Sequence, residues 1–273
     1  MTHGNKAAVL ILVAVGTLLA HPSADAAERK TKSSETTRAT VKLPRGFVYL
    51  DTLAPDIIND MRYATPDNFT GRRVPGYHAN RCILARPVAR AVARVQKAVK
   101  KTGYTLKVYD CYRPTRGVHA FFQWAQARFG RPNKAYYPRI SRSRIIPLGY
   151  IAKRSSHSRG TAIDLTLVKL AETATITATA QTTAKSRRRA TGIPCIKPEP
   201  ERAPASIDMG TSWDCFDELS HTHHGATSGA VQANRRRLLR AMQAEGFRNY
   251  RREWWHYSMS LRQFQRLHNF PVE

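Results

Sequence analysis

The sequence predicts an α+β fold, with an antiparallel sheet at its core and helices flanking it, on three observations. Residues 161–168 alternate with period two, Ile163, Leu165 and Leu167 on one face and Ala162, Asp164 and Thr166 on the other. Residues 87–101 and 231–245 carry apolar side chains at helical spacing instead. The two kinds of segment follow one another without the regular strand–helix–strand alternation that builds a parallel sheet.

The elements follow in chain order. Lys6 precedes the apolar run 7–20, and Ala24-Asp25-Ala26 has the small-residue pattern of a cleavage site, so residues 1–26 read as a secretory signal peptide. A run of about 14 apolar residues is short for spanning a bilayer. The expected location is therefore exported, periplasmic or extracellular after cleavage near Ala26. Residues 27–42 are polar and read as a disordered leader to a main domain at 43–273. A first strand is expected over 46–51, and an ordered loop over 60–71, where aromatics mix with turn formers. Pro87 suits the start of a helix with the stripe Val88, Ala91, Val92, Val95, Ala98 and Val99, ended by Gly103. A strand over 104–109 follows, stopped by Pro114, then a helix over 118–129 stopped by Gly130, whose Phe121, Phe122 and Trp124 read as core. Residues 169–206 break the pattern: 173–183 is almost wholly Thr and Ala, followed by basic and Pro-rich pieces, which reads as an exposed insertion. In the helix at 231–245, Leu238, Leu239 and Met242 should face inward. The last strand is expected around 253–257.

With the signal removed, 44 basic and 18 acidic side chains remain, a net charge of +26. In an exported protein this points to electrostatic contact with anionic wall or envelope polymers. No nucleic acid is expected, since no motif interleaves aromatics with arginines. The Arg runs 187–189, 235–237 and 251–252 read as solvated faces, and His221, His223 and His224 as a polar loop. Nothing in the sequence sets the oligomeric state.

The chemistry concentrates in two stretches. Asp164 sits mid-strand, where a carboxylate is costly unless partnered. His157 lies seven residues earlier, and Gly160 can turn the chain between them so that both reach one site. Glu253-x-x-His256 is the second stretch. It lacks the preceding His of the helical zinc proteases, since residue 252 is Arg. On an unbroken strand Glu253 and His256 would face oppositely, so a bulge or strand end is required. Together His157, Asp164 and His256 would make a three-ligand zinc site at the sheet, one Zn2+ per chain, with an open position for water and Glu253 as general base.

The run Ser155-Ser156-His157-Ser158-Arg159-Gly160-Thr161-Ala162-Ile163-Asp164, with Glu253-Trp254-Trp255-His256-Tyr257, closely resembles the zinc D-alanyl-D-alanine dipeptidases, the family whose best-known members support vancomycin resistance. The family pattern S-x-H-x-x-G-x-A-x-D is met at Ser155, His157, Gly160, Ala162 and Asp164. Agreement extends to Tyr63-Ala64-Thr65, Asn68-Phe69-Thr70-Gly71, Tyr112-Arg113-Pro114, Met209-Gly210 and Phe216-Asp217-Glu218, and covers most of 47–272. The signal peptide, the 169–206 insertion and the four cysteines depart from the family. The resemblance implies the D,D-dipeptidase or D,D-carboxypeptidase fold. It places the zinc ligands at His157, Asp164 and His256, the base at Glu253 and an oxyanion-steadying arginine at Arg113. Tyr63, Ser155, Ser156 and Asp214 fall on positions lining the dipeptide pocket, with Asp214 suited to the substrate's ammonium and Ser156 to its carboxylate. Arg113 could instead be a plain salt-bridge partner of nearby Asp110. The activity implied is hydrolysis of D-Ala-D-Ala through a metal-bound water. A D,D-carboxypeptidase acting on peptidoglycan stem peptides is the nearest rival, and a non-catalytic wall-binding module a more distant one.

Cys82, Cys111, Cys195 and Cys215 have no zinc-ribbon spacing, and in an oxidising compartment an even count suggests two disulfides. A Cys82–Cys111 bridge would hold the strand end before Arg113, and a Cys195–Cys215 bridge would pin the insertion beside Asp214. The pairing of 82 with 195 and 111 with 215 stays open, as do free thiols.

Overall fold

Seven short strands and three main helices make up the described part of the chain, residue 1 and residues 43–127, 133, 135–173, 194–196 and 206–273 of a computed structural model. The signal peptide beyond Met1, the leader, Phe129 with the Gly130 stop, and most of the 169–206 insertion lie outside the described residues. Strand β1 (Phe47–Tyr49) pairs antiparallel with β3 (Ile83–Ala85), and β2 (Ile58–Asn59) belongs to the main sheet. Helix α1 (Arg86–Lys100) leads through Gly103 into β4 (Tyr104–Asp110), and α2 (Thr115–Gln126) follows at once. Then come β5 (Ala162–Lys169), α3 (Gly229–Ala244), β6 (Arg248–Asn249) and β7 (His256–Ser258).

The main sheet has the order β2-β4-β5-β7-β6. All its pairs are antiparallel except β2 on β4, a parallel edge that the sequence did not announce. Strand β5 is buried over its first seven residues, so both faces of the alternating run are covered and Asp164 is enclosed on a strand of the sheet interior. In α1 the stripe Val88, Ala91, Val92, Val95 and Val99 is buried as expected, at about 1.5–3 kcal/mol for each larger apolar side chain removed from water. Ala98, expected in that stripe, is exposed. Gln96 takes the inward place, its amide donating to Thr105 Oγ1 and accepting from the Leu106 N–H.

Strand β4 already ends at Asp110, four residues before Pro114, which stands at the N-cap of α2, so that helix begins at Thr115, three residues before the apolar pattern suggested. Phe121 is core, while Phe122 and Trp124 are half-buried. Helix α3 begins at Gly229 because the Ser228 side chain caps it by accepting from the Val231 N–H. Leu238 and Met242 face inward, Leu239 only partly. Arg235 corrects the expectation of a solvated 235–237 face: it is 1% exposed. Its guanidinium donates to the carbonyls of Met209, Leu219 and His221, tying the 209–221 segment to α3. Among the described residues no helix is long and apolar enough to cross a membrane.

Candidate metal centre and active site

Strand register brings the acid and one histidine together. Asp164 on β5 stands directly opposite His256 on β7, and cross-strand partners point to the same face. On the other side of β5, a register shift after Val108 sets Asp110 opposite Asp164. His157 arrives from a 3-10 turn, Ser156–Arg159, capped at its start by the Ser155 side chain, which accepts from the His157 N–H. Gly160 ends the turn at φ 69. A Cβ there would meet Phe47 Cε1 at 2.4 Å, so only glycine turns the chain this tightly against β1.

The three side chains converge: His157 Nε2 lies 3.1 Å from His256 Nδ1 and 3.3 Å from Asp164 Oδ1, and His256 Nδ1 lies 2.9 Å from the same oxygen. Among the described residues this is the one His/Cys/Asp/Glu group spaced to hold a metal ion. The donor set fits a metal on two counts. His157 Nδ1 must carry the proton, because at 2.6 Å it faces the Cys111 carbonyl, which can only accept. That leaves the Nε2 lone pair aimed at the other two ligands. Zinc bonds of about 2.0–2.1 Å in tetrahedral geometry require ligand atoms roughly 3.3 Å apart, close to the spacing here. Burial lowers the His256 pKa against the pull of Asp164, favouring the neutral ring a metal needs. Burial alone would raise the Asp164 pKa, but His157 and His256 hold it well below the carboxylate range.

Glu253 is not on the last strand. It sits in a turn before β7; the Asn249 amide donates to its carbonyl and to that of His256 at the start of β7, and its carboxylate lies on the same side as the His256 ring. Its Oε2 comes within 4.0 Å of His256 Nδ1. Burial first, then the negative charges of Asp164 and Asp214, push its pKa well above the carboxylate range against the influence of Arg113. Arg113 makes the salt bridge that the sequence allowed and also borders the cavity. Its Nε and Nη2 donate to Asp110 Oδ2 at 2.9 and 2.7 Å, and its guanidinium also faces the cavity, between the rings of Tyr63 and Phe121. Burial works against its charge, but Asp110 keeps it firmly protonated.

A cavity of about 270 Å3 opens over these groups and is lined also by Tyr63, Ser155, Ser156 and Asp214, so every residue expected at the site borders one space. Tyr63 donates its hydroxyl to Asp214 Oδ2 at 2.8 Å. Asp214 has φ 60, the sole positive φ of a non-glycine among the described residues, and such local strain collects at functional positions. Burial, opposed by Tyr63 and reinforced by Asp164, pushes its pKa well above the carboxylate range.

Three contributors escaped the sequence reading, and a fourth, Asp110, was expected only as a salt-bridge partner of Arg113. Asp110, fully buried, accepts from Arg113 and from the Tyr77 hydroxyl and lies 3.4 Å from His157 Nδ1. Trp213 Nε1 donates to Asp164 Oδ2 at 3.4 Å. Phe121, read as core, walls the cavity as well. Arg154, beside Ser155, lines the cavity with no acidic partner among the described residues. The bridges are Cys82–Cys111 and Cys195–Cys215. The first therefore anchors the carbonyl that orients His157 as well as the approach to Arg113. The second adjoins Asp214, and the Cys195 carbonyl also accepts from the Ser212 N–H. His221, His223 and His224 form a partly exposed loop, as expected.

Known proteins share this arrangement of sequence. The model of the peptidase M15 family, described as D-ala-D-ala dipeptidase, matches residues 44–203 and 200–272. The chain is 35% identical to the D-alanyl-D-alanine dipeptidase of Enterococcus faecium over 230 residues, 84% of this chain and 98% of that protein. It is 36% identical to that of Streptomyces coelicolor over 214 residues, covering 78% and 91% of the two chains. The dipeptidase of Escherichia coli is 29% identical over 213 residues, 78% and 84% of the respective chains. A match that runs from residue 44 to 272, through β5, the Arg113 segment and the turn before β7, leaves one assignment: the chain belongs to the peptidase M15 family of D-Ala-D-Ala dipeptidases.

Proposed function

We propose that this protein is an exported zinc metallopeptidase that hydrolyses D-alanyl-D-alanine to two D-alanines. The observation that carries the reading is the convergence of His157 Nε2, Asp164 Oδ1 and His256 Nδ1 beside Glu253 and Arg113 in one cavity that also holds Asp214. His157, Asp164 and His256 would hold zinc, which when bound supplies Lewis-acid polarisation of the scissile carbonyl and acidifies water.

The chain's own groups do the rest. Glu253, with a raised pKa, takes the proton of the attacking water at its carboxylate and delivers it to the departing amine as the C–N bond breaks. Arg113, fixed by Asp110, offers a guanidinium to the carbonyl oxygen as negative charge builds there. Asp214 receives the substrate's free ammonium, which supplies the counter-charge its buried carboxylate lacks. Ser156, with Arg154 at the cavity wall, takes the carboxylate end. The 1–26 signal and two disulfides support export, with 27–42 as leader, 43–273 as the catalytic domain and 169–206 as an insertion in it.

The test offers the zinc-loaded protein D-Ala-D-Ala and an intact stem pentapeptide side by side. The reading expects turnover of the dipeptide and little of the pentapeptide. Preference for the pentapeptide would make the protein a D,D-carboxypeptidase instead.

A further inference from the structure

A second feature of the molecule is untouched by this chemistry. Helices α1 and α3 lie side by side and run in opposite directions: Arg94, midway along α1, pairs with Glu245 just after α3, while Arg237, midway along α3, lies over the Tyr104 ring just after α1. Together the two helices carry nine basic residues and no acidic one. Arg235 is turned inward, and the other eight, Arg86, Arg90, Arg94, Lys97, Lys100, Arg236, Arg237 and Arg240, are all exposed. Lys101 extends the set. Glu245 answers Arg94 and Asp56 answers Lys100. Among the described residues Arg86, Arg90, Lys97, Lys101, Arg236 and Arg240 have no acidic partner.

This arrangement works against the fold rather than for it. Arg86, Arg90 and Arg94 are spaced four apart, as are Lys97 with Lys101 and Arg236 with Arg240, and like charges at that spacing repel. Arg86 also stands at the positive end of the α1 dipole, and only Lys97 and Lys100, in the last turn, gain from its negative end. Charges that weaken the helices bearing them call for an external counter-charge. None of these residues lines the catalytic cavity.

We propose that the outward face of α1 and α3 is a docking surface for a flexible, linear phosphodiester polymer. Cations recurring roughly every 6 Å along two adjacent helices match a chain of evenly spaced anions laid along them. A bilayer is the poorer fit, because interfacial helices insert an apolar face. Here the exposed large hydrophobic residues among those described, Met1, Leu53 and Tyr250, all lie off the two helices. The inference is independent of the dipeptidase reading.

The experiment uses the full mature protein and a labelled synthetic poly(glycerol phosphate), with binding followed by fluorescence anisotropy across a salt series. Variant one is Arg90→Gln, Lys97→Gln, Arg236→Gln and Arg240→Gln. Variant two removes the same charge elsewhere, with Arg45→Gln, Arg72→Gln, Arg262→Gln and Arg266→Gln, all exposed positions. At about 0.1 M salt variant one should bind at least roughly tenfold more weakly and lose about 3 from the slope of log K against log salt, while variant two should change less than about threefold. A double variant, Lys97→Gln with Arg240→Gln, gives the same reading at smaller amplitude if the quadruple variant melts early. Equal losses in both quadruple variants, or no loss in variant one, would overturn the proposal, because net charge alone would then explain binding. Tighter binding to anionic phosphatidylglycerol vesicles or to duplex DNA than to the polymer would overturn it too.

Discussion

Arg235→Met separates a buried tether from a solvated arginine. The substitution keeps the stem's volume and deletes a guanidinium that donates to Met209 O at 2.8 and 2.6 Å, His221 O at 2.6 Å and Leu219 O at 2.7 Å. Three carbonyls lose their partner, that of Met209 buried and those of Leu219 and His221 partly so, at a gross cost of up to about 1–3 kcal/mol each. Removing the arginine also lifts its own desolvation penalty, visible in a pKa that burial pulls down to about 10, and this offsets part of the loss. The net expectation is about 2–4 kcal/mol, or a drop in Tm of roughly 5–15 °C for a domain of this size. Thermal and urea unfolding, with Arg236→Met as the exposed control, read the effect. Because the tethered segment carries Trp213 and Asp214, KM for the dipeptide should rise as well. Stability within about 0.5 kcal/mol of wild type, the usual result at a surface position, would refute the reasoning.

Three further perturbations reach the site. Glu253→Gln should keep its metal and lose roughly two to four orders of magnitude in turnover, and loss of metal in that variant would make Glu253 a ligand rather than a base. Asp214 has a folded-state pKa raised above its unfolded value, so stability present below about pH 4 is lost as pH rises through the folded value. Asp214→Asn should therefore raise Tm at pH 8 more than at pH 4 and abolish the preference for free over N-acetylated D-Ala-D-Ala; a pH-independent shift with the preference intact argues against its role. Non-reducing peptide maps should link Cys82 to Cys111 and Cys195 to Cys215, and each loop, of 29 and 20 residues, should be worth about 3–4 kcal/mol. Four alkylatable thiols in the native protein would contradict that.

Much of the site was legible because its chemistry resides in residue types. A histidine, a mid-strand aspartate and a glycine between them imply a turn and a shared ligand position, and Gly160 makes that turn. The Glu253–His256 conflict dissolves only in three dimensions, where Asn249, four residues before Glu253, holds two carbonyls and keeps Glu253 off the strand. The Asp110–Arg113 pair was legible from the nearness of the two in sequence, but the place of Asp110 opposite Asp164 depends on a register shift between β4 and β5, which no local pattern announces. Arg235 hid within an Arg triplet, although its phase gave it away: Val231, Arg235, Leu238 and Met242 fall on one helical face, and all four are buried. The sequence favoured the cysteine pairs now seen from their positions near Arg113 and Asp214 but left the alternative pairing open, because connectivity depends on which loops the fold brings together. The parallel β2 edge had no signal in a two-residue strand.

The central claim is that His157, Asp164 and His256 hold one catalytic zinc. Titrating chelator-stripped protein with zinc while following D-alanine release from D-Ala-D-Ala tests it most directly. Activity should be absent at the start, rise linearly to one equivalent and then level off, while His157→Ala, folded by circular dichroism, should neither retain zinc nor gain activity. Full turnover in the stripped protein, or stoichiometric zinc held by His157→Ala with wild-type affinity, would contradict the account.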